Sequence, residues 1–290
     1  MRTLKRLLLI ISSITILLIG WFYLHIHSNI KLPTATYELS IQPGSNLKQI
    51  SQQLANAGII PSQWTFIILA RYLNHESAIK AGDYELTGNL SQIALLDYLI
   101  KGNAKQNEIK FIEGWTFAQI RKVLNEHPAI EYKSAGLSDQ QILQHIGASE
   151  TAVEGIFFPD TYYFIKGSSD LDILQRAYKS MQNHLQNYWL ERVESLPLNT
   201  PYEALILASI IEKETGAESD RAEIAGVFIN RLRKGMKLQT DPTVIYGLGE
   251  QFDGNLRKKD LLADQEYNTY TRAGLPPTPI ALPSKRAIEA

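Results

Sequence analysis

The sequence contains no cysteine. Disulfide frameworks, thiol nucleophiles and thiolate metal sites are therefore excluded, while a periplasmic setting remains compatible. The six histidines are scattered, with no HExxH or comparable pair, which argues against a zinc site. Neither a G-x-S-x-G elbow nor a phosphate-binding G-x-x-x-x-G-K-[ST] loop is present. A net charge of -1 gives no bulk attraction for nucleic acid, so no nucleic-acid partner is expected. Thiol, zinc and classical serine chemistry drop out, and carboxylates remain as candidate catalysts.

One long hydrophobic run is present. Leu7 to Leu24 is interrupted only by Ser12, Ser13, Thr15 and Gly20, and is long enough to cross a bilayer. Arg2, Lys5 and Arg6 precede it, and Trp21 and Tyr23 stand at its far end, so the rest of the chain is expected outside the cytoplasm. A cleaved signal peptide is the rival reading. No small-x-small site directly follows the run, which favours an uncleaved anchor. Residues 1–28 are read as cytoplasmic tip and anchor, and 29–35 as a linker.

A strand–turn–helix pattern follows. Tyr37 to Ile41 alternates as a strand, Pro43-Gly44 turns, and Leu47, Ile50, Leu54 and Ala57 recur at helical spacing. The pattern returns seventy residues later (114 against 44), where Gly114, Phe117, Gln119, Ile120 and Leu124 match Gly44, Leu47, Gln49, Ile50 and Leu54. A fainter copy lies between, around Tyr84, Leu90, Gln92 and Ile93. Residues 36–107 are read as a small βα module similar to LysM, with a compact spacer as the alternative, and 108–290 as a second domain. The fold class expected is α+β.

Within the second domain, Val153 to Phe164 is rich in aromatics, and residues 171–190 form an amphipathic helix. Pro201 to Gly216 reads as one helix, with Thr200 as N-cap, Pro201 at the first position and Gly216 as stop. Leu205, Ile206, Leu207, Ile210 and Ile211 leave it no broad polar face, so it is expected to be buried. It ends in Glu212 and Glu214. On a helical wheel Glu214 projects between Ile210 and Leu207, a setting that raises a carboxyl pKa and suits a general acid, whereas Glu212 is shallower. The alternative is that both simply form the solvated end of a core helix. Another helix is expected over 218–234, with Asn230 and Arg231 beside its apolar stripe. Leu238 to Pro279 reads as polar and turn-rich, with tyrosine and amide content suited to sugar binding. Ser209 reads as a packed helix serine. Pro283-Ser284 looks like a helix start, and so short a helix would be marginal.

Several of these segments resemble the endolytic murein transglycosylase family, the YceG-like proteins. They are Ala208-Ser-Ile-Ile-Glu-Lys-Glu-Thr215, Val227 to Leu232, Leu238-Gln-Thr-Asp-Pro-Thr-Val-Ile-Tyr-Gly247, Tyr267-Asn-Thr-Tyr270, Gly274-Leu-Pro-Pro277 and the Gly155-x-Phe-x-Pro-Asp-Thr161 element. The resemblance implies an inner-membrane enzyme with its catalytic domain in the periplasm. It would cleave the MurNAc–GlcNAc β-1,4 bond of nascent peptidoglycan glycan strands, leaving 1,6-anhydro ends. Glu214 falls on the family's catalytic position, and Gln239, Asp241, Asn268 and Tyr270 on positions that line the glycan groove. No cofactor or metal is implied, and peptidoglycan synthases are candidate partners. The resemblance also implies a catalytic domain that is truncated at its C-terminus. A muramidase using Glu214 and Asp241 with water, or a non-catalytic cell-wall scaffold, stays open as an alternative.

Overall fold

The protein is described by a computed structural model covering residues 2–88, 90–102 and 107–290, with side chains in the first helix given for Arg6 and residues 10–27. The side chains of Arg2, Lys5 and Leu7 to Leu9, which enter the membrane reading, lie outside the described residues. Contacts divide the chain into two compact units, one of residues 1–107 with 164–166, the other of 108–163 with 167–290.

In the first unit, α1 (Arg2–His27) contains an 18-residue window, Ile10–His27, long and apolar enough to cross a membrane. Then follow β1 (Thr36–Ile41), α2 (Leu47–Asn56), α3 (Gln63–Tyr72), β2 (Gly82–Thr87) and α4 (Gln92–Lys101). β1 and β2 pair antiparallel, from Thr36 opposite Thr87 to Ile41 opposite Gly82. Alternation along β1 turns Leu39 and Ile41 inward. They meet Leu54, Phe66, Leu69, Tyr84 and Leu96 in one core, which also takes Ile26 and Ile30. α3 is a helix beyond those expected from the sequence, and Ser62 caps it by accepting from Trp64 N–H.

The second unit opens with β3 (Asn107–Lys110), α5 (Phe117–Glu126), β4 (Ile130–Glu131), α6 (Asp139–Ile146), β5 (Thr161–Phe164) and β6 (Ser168–Ser169). β3 neighbours β5, and β4 pairs parallel with β6. Helices α7 (Asp170–Glu191), α8 (Pro201–Glu214) and α9 (Arg221–Arg233) form the bulk, followed by α10 (Asp241–Leu248), α11 (Lys258–Leu262) and α12 (Lys285–Glu289). α8 is the central element. Leu205 to Ile211 are all buried, and α7, α9, α10 and α12 pack on it.

The glutamine shared by the two repeats has a local cause. In α2, Asn46 accepts from Gln49 N–H while the Gln49 side chain accepts from Asn46 N–H, and Thr116 with Gln119 does the same at α5. The repeat is thus a turn glycine followed by a capping box, at φ +80° for Gly44 and +75° for Gly114.

Two expectations change. The segment from Leu238 to Pro279 contains α10 and α11, so it is only partly irregular. The helix at the end is held more firmly than its length suggests: Ser284 caps it through Ala287 N–H, and Ala287 is buried against α8.

Candidate active site

The end of α8 presents its two glutamates to different surroundings. Glu212 turns inward. Its carboxylate takes an ion pair at 3.4 Å from Arg221 and hydrogen bonds from the Ser284 N–H and hydroxyl, and its side chain is only 7% exposed. Glu214 lies on the exposed side and accepts a 2.6 Å hydrogen bond from Thr240 Oγ1 at Oε2. The helical wheel predicts the reverse depth. The wheel counts only neighbours within the helix, whereas the groups that bury Glu212 come from α9 and from the chain seventy residues on. The aliphatic burial expected for Glu214 is absent. Between the two, Lys213 is exposed and donates to Gly114 O at 3.3 Å. Ser209 gives its hydroxyl proton to Ile206 O and accepts from Ile280 N–H, as a packed serine does.

Thr240 is fixed by a cluster of three buried threonines. Its N–H donates to Thr269 Oγ1 at 3.1 Å. Thr243 gives its hydroxyl proton to Thr240 O at 2.8 Å, and the Thr243 and Thr269 hydroxyls are hydrogen-bonded at 2.8 Å. The hydroxyl facing Glu214 is therefore held by backbone and side-chain bonds at once, at the N-terminus of α10. Glu214 Oε1 receives no hydrogen bond from the described residues, and the residue is exposed.

Next to this pair, Tyr270 Oη donates to Asp241 Oδ1 at 2.6 Å. Burial first, then the Asp241 bond and the negative charges of Asp241 and Glu214, push the Tyr270 hydroxyl up to about 12, with Arg231 opposing. Glu214, Asp241 and Tyr270 thus converge on one polar, solvent-open face, with the buried Thr240 behind Glu214. Gln239 is exposed beside them in a left-handed backbone conformation, φ +53°, and its N–H donates to Thr269 O. Arg231 reaches back to Leu238 O and steadies the approach to this turn.

Asn268 stands apart from the other expected groove residues. It is fully buried, its side-chain N–H groups serve Asp260 O, Leu261 O and Ala263 O, and its Oδ1 accepts from Tyr270 N–H. With its amide committed inward it does not line the groove; it positions Tyr270.

A further carboxyl escaped the sequence reading. Glu154 is buried, accepts from Phe117 N–H at 2.9 Å and from Tyr246 Oη at 3.1 Å, and is pushed by burial up to about 7. Tyr246 belongs to α10 and packs edge-on against Tyr267, whose hydroxyl meets Thr278 at 2.8 Å. Glu154 therefore ties α5 to the helix that begins with Thr240 and Asp241. The signal available was a charged residue inside the aromatic run Val153 to Phe164. No group of three acidic or histidine side chains suited to a metal ion occurs among the described residues.

The model of the YceG-like family matches residues 39–290. The chain belongs to the YceG-like family. An endolytic murein transglycosylase of Bacillus subtilis is 31% identical over 264 residues, covering 85% of this chain and 72% of the relative. One from Streptococcus pneumoniae is 28% identical over 284 residues, covering 87% of this chain and 51% of the relative. The chain thus spans about half the length of the streptococcal protein. Among solved structures, the crystal structure of a YceG-like protein from Listeria monocytogenes superposes with a TM-score of 0.54 at 30% identity, covering 88% of this chain and 89% of that one. The YceG-like match takes in all of α8, the threonine cluster and the Asp241–Tyr270 pair.

Proposed function

We infer that this YceG-like chain is a murein transglycosylase that cleaves peptidoglycan glycan strands internally, at the MurNAc–GlcNAc β-1,4 bond, leaving 1,6-anhydro-MurNAc ends. Family membership, with relatives named endolytic murein transglycosylase, supports the substrate class. The observation that carries the assignment of the acid is the bond from Thr240 to Glu214. It pins one carboxyl oxygen and leaves the other free at the surface, as a group that passes a proton to and from a bound strand requires.

The chemistry follows from one carboxyl. A glycan laid over Glu214 brings the glycosidic oxygen within reach of its unbonded carboxyl oxygen. Glu214 Oε1 then protonates the glycosidic oxygen as the C1–O bond breaks. The resulting carboxylate takes the proton from the C6 hydroxyl of the same MurNAc. That oxygen closes onto C1, and no water is consumed. A hydrolase uses two carboxyl groups, one of them to activate water or attack C1. Asp241 is the second carboxylate on this face, and its Oδ1 is engaged by Tyr270. Gln239, Asp241 and Tyr270 contact the strand in this reading, Tyr270 offering a flat apolar face and Gln239 an amide, while Asn268 holds Tyr270 in place.

In the same reading α1 is a single-pass anchor with the N-terminus inside and both units in the periplasm, consistent with an inner-membrane location beside peptidoglycan synthases. The β1–α2–α3–β2 order, closed by antiparallel pairing, supports treating residues 36–107 as a LysM-like module and 108–290 as the catalytic domain. Mass spectrometry of products from uncrosslinked glycan tests the reaction. Ends lighter by one water, of the anhydro type, are expected. Reducing ends alone mark a muramidase, and no cleavage marks a scaffold.

A further inference from the structure

Helix α3 is apolar on both sides. Phe66, Ile67, Leu69 and Ala70 point into the core of the first unit. On the opposite side Trp64, Ile68 and Tyr72 are 62%, 52% and 79% exposed. Spaced by four residues, they drift only about 40° per step and form one outward stripe. Arg71 stands beside them, paired at the surface with Glu76 at 3.5 Å. Two aromatics, an aliphatic and an arginine compose the kind of face that lies at a membrane–water boundary. A helix apolar all round otherwise belongs in a core.

The same unit shows where such a boundary is. Trp21 and Tyr23, exposed residues of the type found in an interfacial belt, stand four to six residues before the end of the apolar window Ile10–His27 of α1. Three residues past Tyr23, Ile26 is already buried in the core with Phe66 and Leu69. At about 1.5 Å per residue the belt and the folded unit are roughly 5 Å apart along the helix. The headgroup layer is itself some 5–7 Å deep on each side. α3 packs directly on α1. The connection is polar as well: Thr65 donates to Gln92 Oε1, and Gln92 Nε2 donates to His25 O, the last turn of α1. Trp64 is the chain neighbour of Thr65, so the stripe begins beside a residue linked through Gln92 to the last turn of α1.

We propose that the Trp64–Ile68–Tyr72 face of α3 is a second membrane contact, seated in the lipid headgroup layer of the bilayer that α1 spans. α1 and α3 then hold the first unit on the membrane at two points, which fixes its tilt in place of leaving it to swing on a single helix. The proposal rests on the reading of α1 as a spanning helix, and continuity with that helix favours lipid over a protein partner for the stripe.

The chain has no cysteine, so single labels can be placed without background. The full chain is purified and reconstituted into vesicles of phosphatidylethanolamine and phosphatidylglycerol, with a nitroxide at Leu17→Cys, Ile68→Cys or Glu85→Cys. Power saturation compares collisions with oxygen, which concentrates in lipid, and with a water-soluble nickel chelate. Leu17, exposed in mid-α1, reports the spanning segment, and Glu85, exposed on β2, reports water. Ile68 is expected to favour oxygen over nickel, at a depth between those two controls. If Leu17 reads as lipid while Ile68 matches Glu85, the stripe is free in water and the proposal is overturned, with α1 still spanning; the face is then left to a protein partner. If Leu17 also reads as water, the spanning reading fails and takes the proposal with it.

Discussion

Thr240 Oγ1 stands 2.6 Å from Glu214 Oε2 and donates to it. This contact joins the last turn of α8 to the first turn of α10. It also converts an exposed carboxyl, free to rotate, into one whose second oxygen has a defined direction. Removing the donor without changing the shape tests its role. Thr240→Val is expected to lower the turnover rate by roughly tenfold, the scale of one hydrogen bond to a charged group. Thr240→Ser should restore most of the loss. Equal rates for the wild type and Thr240→Val, measured on the same glycan, would remove Thr240 from the account.

Asn268 gives a prediction about stability. Its side chain serves three backbone carbonyls from inside the fold. Asn268→Ala leaves buried acceptors unmet and is expected to cost about 1–3 kcal/mol in urea unfolding. Asn268→Asp should cost at least as much, because it sets a carboxylate against carbonyl oxygens. A residue that merely touched sugar at the surface would show neither effect.

Glu154 gives a pH dependence. Burial raises its carboxyl from 4.5 to about 7. Between those values the folded chain keeps a proton that the unfolded chain has released. Stability from this group is therefore full below about pH 4.5 and is lost as pH rises toward 7, by about 3 kcal/mol in all. Glu154→Gln carries no such proton, so the difference in unfolding free energy between wild type and variant should change with this sign across pH 4.5–7. A constant difference would mean that folding does not raise the Glu154 carboxyl.

Much of the fold was legible in local signals. Thr200, Pro201 and the unbroken aliphatic run announce α8. The repeated glutamine announces capping boxes at α2 and α5. α10 is harder to read, because its eight residues end on Gly247-Leu248, with Gly249 as C-cap, in a segment dominated by tyrosine and amides. Its start, Thr240-Asp241-Pro242, has the form of a helix N-terminus and was outweighed by that composition. The candidate site was legible as residue types and not as depths. Glu214, Asp241 and Tyr270 do meet, and Gln239 is beside them. The inward turns of Glu212 and Asn268 depend on Arg221, Ser284 and the carbonyls of Asp260 to Ala263, partners that no helical wheel contains.

The most direct measurement compares Glu214→Gln with Glu212→Gln, scoring anhydro-muropeptide release by mass spectrometry and melting temperature on the same samples. Glu214 is exposed and makes one side-chain bond, so Glu214→Gln should melt as the wild type does while release falls by about 10²-fold or more, as for loss of a general acid. Glu212→Gln leaves Arg221, 8% exposed, without its counter-charge. It should lose about 3 kcal/mol of stability, yet keep near-normal release per folded molecule at a temperature where it remains folded. Near-normal release from Glu214→Gln, with release abolished in folded Glu212→Gln, would contradict the assignment of Glu214 as the acid.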